Sequence, residues 1–493
     1  MTTALLPADD AHVETEEQSA VYAAATSTAD NLMLQAYAGC GKTTTLEGIE
    51  RAVPRQPILY LVFSKANAKA AARRMLSTTT VKTINAIGHN IWSAQGARNL
   101  RLDAQKSGVL LREIINAAPR AEQSAMWNAF SAVTDGVALA KALGYVPSSW
   151  TASSPLRLIS RSAFHARLDE RPDELTAELI DVVLMRSIRE AFRGFIDFND
   201  QVYMPALWGS HFLPRFPLIL VDEYQDLSPV DHALIARLTG LAKGTPHARL
   251  IGVGDEYQSI YAFRGARAGG MAEAIQQYSM TTFPLSISFR CPSEIVNHVH
   301  WRVPQFRASR HGGAVHTPAT LSVADIPESS TIICRNNAPL LHTAFNLLAH
   351  GYGVNVAGTD IGPRLIKTMQ KLGDESMPQY ETLAAIDAWA EERLAADSKT
   401  ARDKAECMRV FARHGDSLGQ AIAYAQHLLA QSGSITLLTG HKAKGHEWPN
   451  VIHLDPQLVR INPASQDPNI DYVISTRSSD NLTEIAGDNI RWS

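Results

Sequence analysis

Long hydrophobic runs are missing from this sequence. Its longest apolar stretches, such as FPLILV at 216–221, fall far short of the roughly 20 residues that a membrane-spanning helix needs. The first residues, MTTALLPADDAH, lack the basic start and apolar middle of a signal peptide. We therefore expect a cytoplasmic protein that has no membrane partner.

Cysteine is also scarce. The 493 residues include four cysteines, which are widely scattered and form no CxxC pair. This spacing suggests neither a disulfide framework nor a zinc site, so we expect reduced thiols.

The sequence has no strong charge of either sign. Its formal net charge of −3 gives no overall basic character, so any nucleic acid would have to bind in a local groove. Low-complexity tracts and solenoid repeats are missing as well. With 45% hydrophobic residues over this length, the chain can form several cores. Composition alone permits many multidomain proteins and favours none.

What the sequence does contain is an alternation of short apolar runs with Ala-rich stretches. This pattern is typical of parallel sheets covered by helices. The runs FPLILVDEYQD and ARLIGVGDEYQ both end in acidic residues, at the strand end where ligands bind in open α/β sheets. Strand signals are weak across 89–199 and 363–430. The sequence therefore predicts an α/β protein with two parallel-sheet domains, each interrupted by helices.

The strongest chemical signal is AYAGCGKTT at 36–44, which fits a phosphate-binding loop if Ala36 takes the first glycine position. Small residues let the backbone N–H groups turn toward phosphates, while Lys42 reaches the β- and γ-phosphates and Thr43 offers its hydroxyl to Mg²⁺. A glycine-rich turn without a ligand is disfavoured, because the loop follows an apolar run and opens a helix. The residues predicted to contact the nucleotide here are Ala38, Gly39, Cys40, Gly41, Lys42, Thr43 and Thr44.

A second chemical signal is VDEYQD, where an apolar run delivers Asp222 and Glu223 together. Asp222 suits a contact to Mg²⁺, directly or through water, and Glu223 suits polarising the water that attacks the γ-phosphate. An acidic strand end that caps the next helix is the structural alternative. The presence of a phosphate loop upstream favours the hydrolytic interpretation.

Six motifs now stand in order along nearly the whole chain: AYAGCGKTT, VDEYQD, VGDEYQSIYAFRGA, SFRCPSEI, HKAKGHEW and YVISTR. Their order and spacing resemble the UvrD/Rep-like superfamily 1 DNA helicases, and the HKAKG-x-EW form is similar to small F-box-helicase-like or phage-type members. The resemblance implies two RecA-like P-loop NTPase domains, ATP and Mg²⁺ as cofactors, and single-stranded DNA as the track.

We predict four domain ranges. RecA-like domain 1A comprises 1–88 and 200–285, with a helical insertion 1B at 89–199. RecA-like domain 2A comprises 286–362 and 431–493, with a reduced helical insertion 2B at 363–430. ATP is expected between 1A and 2A, where closing and opening of the cleft would move the strand.

The resemblance also implies roles around the nucleotide base and sugar. Gln18 matches the glutamine that reads the adenine edge, and an amide offers both a donor and an acceptor for this. Phe289 stands where the family usually has a tyrosine stacked on adenine. Glu447 matches the carboxylate that approaches the nucleotide or its ribose.

Around the γ-phosphate, the resemblance implies a sensor and two arginines. Gln258, with Asp255 beside it, matches the residue that senses the γ-phosphate between the domains. Arg290 and Arg477 match arginines that reach the γ-phosphate from the second domain. A planar guanidinium suits a transition state whose charge spreads over several oxygens. We predict Lys42, Asp222, Glu223, Gln258, Arg290 and Arg477 as catalytic residues, and Thr43 and Asp222 as metal ligands.

A further set of positions matches the family's DNA track. Aromatic faces accept any base at about 1–3 kcal/mol per stacked base, which suits movement independent of sequence. Tyr261 could instead be a buried core residue. The sequence around Phe263 disfavours a buried strand, so Phe263 is the better candidate for stacking. Lys65, Thr83 and His441 match residues near the phosphate backbone. The full predicted set is Phe63, Lys65, Thr83, Tyr261, Phe263, Arg264 and His441.

Departures from the family pattern limit these expectations. Asn85 replaces the histidine that the family favours as a DNA contact, and His446 replaces a usual leucine. The stretch 363–430 is much smaller than the accessory domain of large members. The resemblance implies a 3′→5′ helicase or translocase that acts on single-stranded DNA and at single-strand to duplex junctions.

Two alternatives stay open. The chain could be a DNA-stimulated ATPase subunit of a repair, recombination or defence complex, which unwinds little without a protein partner such as a nuclease. It could also be a nucleotide-dependent switch, although the full set of hydrolytic residues argues against that. The sequence ends soon after Arg477, so we expect no appended nuclease domain.

Overall fold

A computed structural model describes most of the chain. The described residues are 14–95, 100–169, 171–209, 212–241, 244–267, 269–357, 361–395, 398, 400–460 and 465–492. Residues 1–12, from which we predict that the chain has no signal peptide, lie outside the described residues. Among the helices in the described residues, none combines the length and apolarity that a bilayer crossing demands.

Residues 14–95 form a helix followed by three strand–helix units. Their elements are α1 Glu16–Ser27, β1 Leu32–Ala36, α2 Lys42–Ala52, β2 Ile58–Val62, α3 Lys65–Ala72, β3 Thr79–Thr83 and α4 Ile84–Ala94. Every residue of β2 is buried, as expected for an inner strand of a parallel sheet. Helix α1 begins at a capping box made by Thr15 and Gln18.

The following segment is helical, as its weak strand signals predict. Its elements are β4 Arg101–Leu102, α5 Lys106–Ala117, α6 Arg120–Asn128, α7 Phe130–Leu143, α8 Arg161–His165, α9 Glu174–Phe192, β5 Phe195–Ile196 and α10 Asp200–Trp208. The short strands β4 and β5 pair with each other. Helix α4 runs across the predicted boundary between 88 and 89, and the domain ranges stay a prediction.

Buried ion pairs hold the end of this segment in place. Lys106 Nζ lies 2.6 Å from Asp200 Oδ2, and Lys141 Nζ lies 2.6 Å from Asp197 Oδ2. Both lysines are fully buried, and charges buried in this way require partners. The pairs tie α5 and α7 to the loop 197–200, which presents the exposed ring of Phe198.

The chain then completes the first sheet. The elements are β6 Leu218–Val221, α11 Pro229–Thr239, β7 Arg249–Gly254, α12 Gly270–Gln277 and β8 Thr281–Leu285. All strands are parallel, in the order β3-β2-β6-β7-β1-β8. Because β6, β7 and β1 are neighbours, their carboxyl ends bring Asp222, Asp255 and the phosphate loop to one edge.

A second parallel sheet is built from the remaining chain. The elements of this part of the chain begin with β9 Ile287–Ser288, α13 Ser293–His298, β10 Arg307–Ala308, β11 Ala314–His316, β12 Leu321–Ser322, β13 Thr331–Cys334, α14 Asn337–Ala349 and β14 Val354–Val356. Four helices follow: α15 Ile361–Met369, α16 Gln379–Ala395, α17 Ala401–Ala412 and α18 Leu418–Leu429. The chain ends with β15 Ile435–Thr439, α19 Gly440–Ala443, β16 Trp448–Leu454, α20 Asp467–Ser475, β17 Ser478–Ile485 and β18 Ile490–Arg491. The strand order of the second sheet is β11-β17-β16-β13-β15-β14. This part of the chain also holds two separate two-stranded sheets, in which β9 pairs with β10 and β12 pairs with β18.

Three hydrophobic clusters connect these parts. One joins a face of the first sheet to the helical segment, as Leu59 and Val183 illustrate. Another joins the two sheets and includes Tyr60 and Tyr472. The third places α15–α18 on the second sheet, where Met408 packs in the same cluster as strand residues. The predicted α/β fold with two parallel sheets is confirmed.

Candidate active site

The phosphate-loop sequence lies between β1 and α2 with its glycines in the left-handed region. Gly39 has φ +71° and Gly41 has φ +74°, a conformation that favours glycine. A Cβ on Gly39 would lie 2.5 Å from Arg290 Cβ, so the segment after β9 packs directly on the loop. A glycine turn that opens a helix aims N–H groups outward, and this arrangement fits the phosphates of a nucleotide.

Lys42 begins α2 and is paired within the protein. Its Nζ lies 2.9 Å from Glu223 Oε2. Burial opposes the charge on the lysine, but the Glu223 carboxylate raises the pKa of Lys42 above its ordinary value. Burial likewise opposes ionisation of Glu223, and Lys42 lowers the pKa of Glu223 to about 2. The two groups are therefore a charged pair in this state.

Asp222 is held in a fixed orientation at the end of β6. Its Oδ2 accepts a hydrogen bond of 3.0 Å from the Tyr60 hydroxyl, and its Oδ1 accepts one of 2.9 Å from the Glu223 backbone N–H. Burial, followed by the nearby Glu223, raises the pKa of Asp222 to about 6. Thr43 stands in the first turn of α2. Carboxylate and hydroxyl oxygens are hard ligands, so this donor set fits Mg²⁺.

The predicted sensor Gln258 connects groups from both sheets. Its Nε2 donates to Asp255 Oδ2 over 2.7 Å, and its Oε1 accepts from Arg477 Nη2 over 3.2 Å. Arg477 is only 1% exposed. Burial, followed by repulsion from Arg290, lowers the pKa of Arg477 to about 10, which still leaves it charged at neutral pH.

Arg290 and Glu447 form an ion pair at the same place. Arg290 Nε donates to Glu447 Oε2, and Arg290 Nη1 donates to the Thr476 carbonyl over 3.4 Å. The Glu447 side chain is more than half exposed. The structure thus brings a predicted catalytic arginine and a predicted nucleotide contact together beside the phosphate loop.

Gln18 and Phe289 flank the end of the loop. A Cβ on Gly41 would lie 3.5 Å from Gln18 Nε2 and 3.8 Å from the Phe289 ring. Gln18 Oε1 accepts from the Thr15 N–H over 3.0 Å, and its Nε2 donates to Thr45 Oγ1 over 3.1 Å. In this state the Gln18 amide fastens α1 to α2. Its contact to adenine stays a prediction.

Predicted DNA residues gather into one surface, here called the aromatic platform. It consists of Phe63, Tyr261, Phe263, Arg264 and His441. The Phe63 and Tyr261 rings stack at 6.1 Å with 3° between their planes, and the Phe263 ring lies 5.3 Å from His441. Arg264 lies 5.5 Å from both the Tyr261 and Phe263 rings. Phe63 and Phe263 are 45% and 60% exposed, so both rings are in part open to solvent.

His441 contributes to the platform as a neutral group. Burial, followed by repulsion from Arg335, lowers the pKa of His441 to about 4. The backbone carbonyl of His441 accepts a hydrogen bond of 3.1 Å from the Tyr261 hydroxyl. This bond accounts for the half-buried position of Tyr261, which serves both the packing and the platform.

Lys65 and Thr83 lie apart from the platform contacts. Lys65 is exposed at the start of α3, with its Nζ 5.9 Å from the Phe198 ring. The Thr83 hydroxyl accepts a hydrogen bond of 3.1 Å from the Ala86 N–H and so caps α4. Thr83 is 8% exposed, and its contact to DNA stays a prediction.

A sequence profile of the UvrD/REP helicase N-terminal domain matches residues 15–279, more than half of the chain. The chain belongs to the UvrD/REP helicase family. F-box DNA helicase protein 1 of Schizosaccharomyces pombe is 23% identical over 475 residues, which are 89% of this chain and 52% of that protein. The chain thus spans about half the length of this relative.

Two shorter matches involve other helicase relatives. The ATP-dependent DNA helicase UvrD1 of Mycobacterium bovis is 32% identical over 145 residues, which are 27% of this chain and 18% of that protein. An ATP-dependent helicase/nuclease subunit of Lachnoclostridium phytofermentans is 29% identical over 124 residues, which are 24% of this chain and 9% of that protein. These matches agree with UvrD/REP family membership.

The structure of this UvrD/REP-family chain adds residues that sequence reasoning missed. Lys444 Nζ donates to both carboxylate oxygens of Asp226 over 2.7 Å and to the Gln258 carbonyl over 2.6 Å. It thereby joins HKAKGHEW in the second sheet region to VDEYQD in the first. Phe198, 44% exposed beside Lys65, extends the set of accessible rings. Its position in DFND, just before a helix, was the available signal.

Proposed function

We propose that this chain is an ATP-dependent DNA helicase or translocase that moves along single-stranded DNA. The observation that carries the proposal is that charged side chains from both sheet regions converge on the phosphate loop. The first sheet supplies Lys42 and Glu223, and the second sheet region supplies Arg290 and Arg477. Phosphoryl transfer requires charged groups around the phosphates, and here both sheet regions place such groups around one glycine turn.

Binding of ATP would exchange the partners of these groups. Phosphate oxygens would compete with Glu223 for Lys42, and release of the carboxylate would let Glu223 orient and deprotonate the attacking water. Arg290 and Arg477 would leave Glu447 and Gln258 to stabilise the charge that spreads over the transferring phosphoryl group. Such arginines contribute about 10³–10⁵ in rate in related reactions.

Thr43 and Asp222 are the residues that would hold Mg²⁺. Mg²⁺ would supply positive charge that offsets the charge developing on the phosphates. The protein's own contribution is orientation. The Tyr60 hydroxyl and the Glu223 backbone N–H both donate to the Asp222 carboxylate and fix its orientation.

The aromatic platform supports single-stranded DNA as the track. Rings with accessible faces stack on bases without reading sequence, while Arg264 and Lys65 would contact phosphates. Phe198 would extend this surface beside Lys65. The 3′→5′ direction and the preference for single-strand to duplex junctions are implied by the resemblance.

The test is hydrolysis by the purified chain with and without single-stranded DNA. We expect DNA to stimulate phosphate release, and we expect streptavidin to be displaced faster from the 5′ end than from the 3′ end of an oligonucleotide. Lack of ATP hydrolysis under both conditions would exclude the motor. Faster displacement from the 3′ end would keep the motor and reverse its direction.

A second candidate function is a translocase subunit that needs a protein partner to unwind duplexes. Two observations favour it. Helices α15–α18 share their core with the second sheet, so little of the stretch 363–430 projects as a separate body. One relative is also named as a helicase/nuclease subunit. Rapid streptavidin displacement by the isolated chain, combined with little separation of tailed duplexes, would support this function over a stand-alone helicase.

A further inference from the structure

Tyr472 lies fully buried on α20, where the second sheet region meets the phosphate loop. Its hydroxyl accepts a hydrogen bond of 3.0 Å from the Ala38 backbone N–H. The same hydroxyl donates to Asp255 Oδ2 over 3.3 Å. Ala38 belongs to the phosphate loop and Asp255 follows β7. One oxygen atom therefore contacts two neighbouring strand ends of the first sheet.

The bonds beyond Asp255 have only one possible direction. A guanidinium can only donate and a carboxylate can only accept, so Gln258 must turn its oxygen to Arg477 and its nitrogen to Asp255. Arg477 follows α20 closely in the chain. Three hydrogen bonds thus connect Tyr472, Asp255, Gln258 and Arg477 in series, and this hydrogen-bonded circuit begins and ends on the same segment of the second sheet region.

Burial makes this circuit act as a unit. Asp255 is 1% exposed and Gln258 is 4% exposed, with Tyr472 and Arg477 equally enclosed. A buried polar group that loses its partner is strongly destabilised, so movement of one member favours rearrangement of the others. If Arg477 turned to a γ-phosphate, Gln258 would lose its donor while Tyr472 still held Asp255.

The opposite end of α20 contacts the segment that leads to the aromatic platform. Gln466 Nε2 and Asn469 Nδ2 both donate to the Ser259 carbonyl over 3.0 Å. Gln466 Oε1 accepts from the Ala262 N–H over 3.3 Å. Helix α20 therefore contacts the segment 255–262 near both of its ends, directly before Phe263.

We propose that Tyr472 is a positioning residue that keeps the phosphate loop, the Asp255–Gln258 pair and Arg477 in register during turnover. This role of Tyr472 rests on the proposed ATPase function, and Tyr472 is not among the predicted site residues. Tyr472 acts through its neighbours, because its hydroxyl is occupied by Ala38 and Asp255. Removal of the Tyr472 hydroxyl should slow the chemical step without weakening nucleotide binding.

The test is Tyr472→Phe, which removes one oxygen and keeps the ring that packs against Tyr257 and Phe306. We expect kcat for DNA-stimulated hydrolysis to fall about tenfold, while KM for ATP and the Kd for single-stranded DNA change less than about twofold. Tyr145→Phe is the matched control, because it removes a hydroxyl that donates to Asp181 over 2.9 Å in the helical segment. The control should retain wild-type kcat.

A merely structural role would lower the fraction of active protein and leave kcat per nucleotide-binding site unchanged, so sites are counted by titration with fluorescent ADP. Unchanged kcat per site in Tyr472→Phe would overturn the proposal. An equal loss in Tyr145→Phe would also overturn it. A wild-type chain without ATPase activity would instead remove the proposed function on which the inference rests.

Asp255→Asn gives a second measurement that leaves the Tyr472 ring untouched. Asp255→Asn should show the same selective loss of kcat. This measurement still tests the proposal if the Tyr472→Phe protein does not fold. In the double variant the two losses should overlap, because both changes open one circuit. Losses that multiply in the double variant, or an Asp255→Asn protein with normal kcat, would contradict the proposal.

Discussion

The nucleotide side and the aromatic platform differ in how their functional groups are satisfied. On the nucleotide side, Lys42, Arg290 and Arg477 each bind a group of the protein itself. On the platform, Phe63 and Phe263 are 45% and 60% exposed to solvent. Under the proposed function, ATP would have to replace these internal contacts, whereas DNA would meet rings that are already exposed. We therefore expect the conformational change of the proposed cycle to lie on the nucleotide side.

The largest expected effect comes from removing the Lys42 ammonium, which pairs with Glu223 and would bind the phosphates of ATP. Lys42→Ala should lower DNA-stimulated hydrolysis by about 10⁴-fold, because a buried cation at the phosphates is lost. Binding to single-stranded DNA without nucleotide should persist. Phosphate release and fluorescence anisotropy measure the two properties. Lys371→Ala, at an exposed lysine, is the control, and residual hydrolysis near the wild-type rate would remove Lys42 from the site.

The arginines test whether the nucleotide side acts apart from the platform. Arg290→Ala and Arg477→Ala should each lower turnover by about 10³-fold, because a γ-phosphate contact is lost, and should spare DNA binding without nucleotide. Single-turnover hydrolysis beside oligonucleotide titration gives both values. Arg364→Ala, at an exposed arginine on α15, should change neither. A loss of DNA affinity as large as the loss of turnover would reassign these arginines to the track.

The platform is tested by Phe263→Ala. The affinity for single-stranded DNA should fall by about 1–3 kcal/mol if one base loses its stacking partner, while much of the ATPase activity stays. Salt separates stacking from charge, since each neutralised phosphate gives log K a slope of about −0.7 on single strands. Phe263→Ala should leave that slope unchanged, and Arg264→Ala should reduce it. Normal translocation and affinity in Phe263→Ala would place the ring outside the track.

The smallest expected effect is a change in nucleotide affinity, and it tests the Lys42–Glu223 pair itself. Glu223→Gln should raise the affinity for ATP about several-fold, because Lys42 no longer has an ionised partner that competes with phosphates. Hydrolysis should be lost at the same time. Equilibrium binding of a fluorescent ATP analogue measures the affinity, with Glu447→Gln as the comparison across the loop. Weaker binding in Glu223→Gln would show that the Lys42–Glu223 pair does not compete with nucleotide.

Much of the fold was predictable because strand runs and motifs coincide. The apolar runs before Lys42, Asp222 and Asp255 become neighbouring strands, so parallel-sheet geometry carries their ends to one edge. The four cysteines are free and buried in the structure. The capping role of Gln18 was also readable, since T-x-x-Q before a helix is a capping-box pattern.

Other contacts could not be read from the sequence. Nothing in the residue pattern shows that Lys106 and Lys141 are fully buried, since lysines are usually exposed. The bond from Lys444 to Asp226 joins residues far apart in the chain and depends on how the two sheets pack. The resemblance implies a DNA contact for Thr83 and does not show that the Thr83 hydroxyl caps α4.

The strand order of the first sheet has a consequence for synthesis. Strand β1, which precedes the phosphate loop, lies between β7 and β8, which are made only after the helical segment. A nascent chain that has just passed α10 holds β1 without either neighbour, and such nonlocal pairing slows folding. We expect ribosome-bound chains that end before β7 to be sensitive to protease around β1, and chains that extend past β8 to resist it. The edge that carries the phosphate loop is thus translated before β7 and β8 and can be completed only after them.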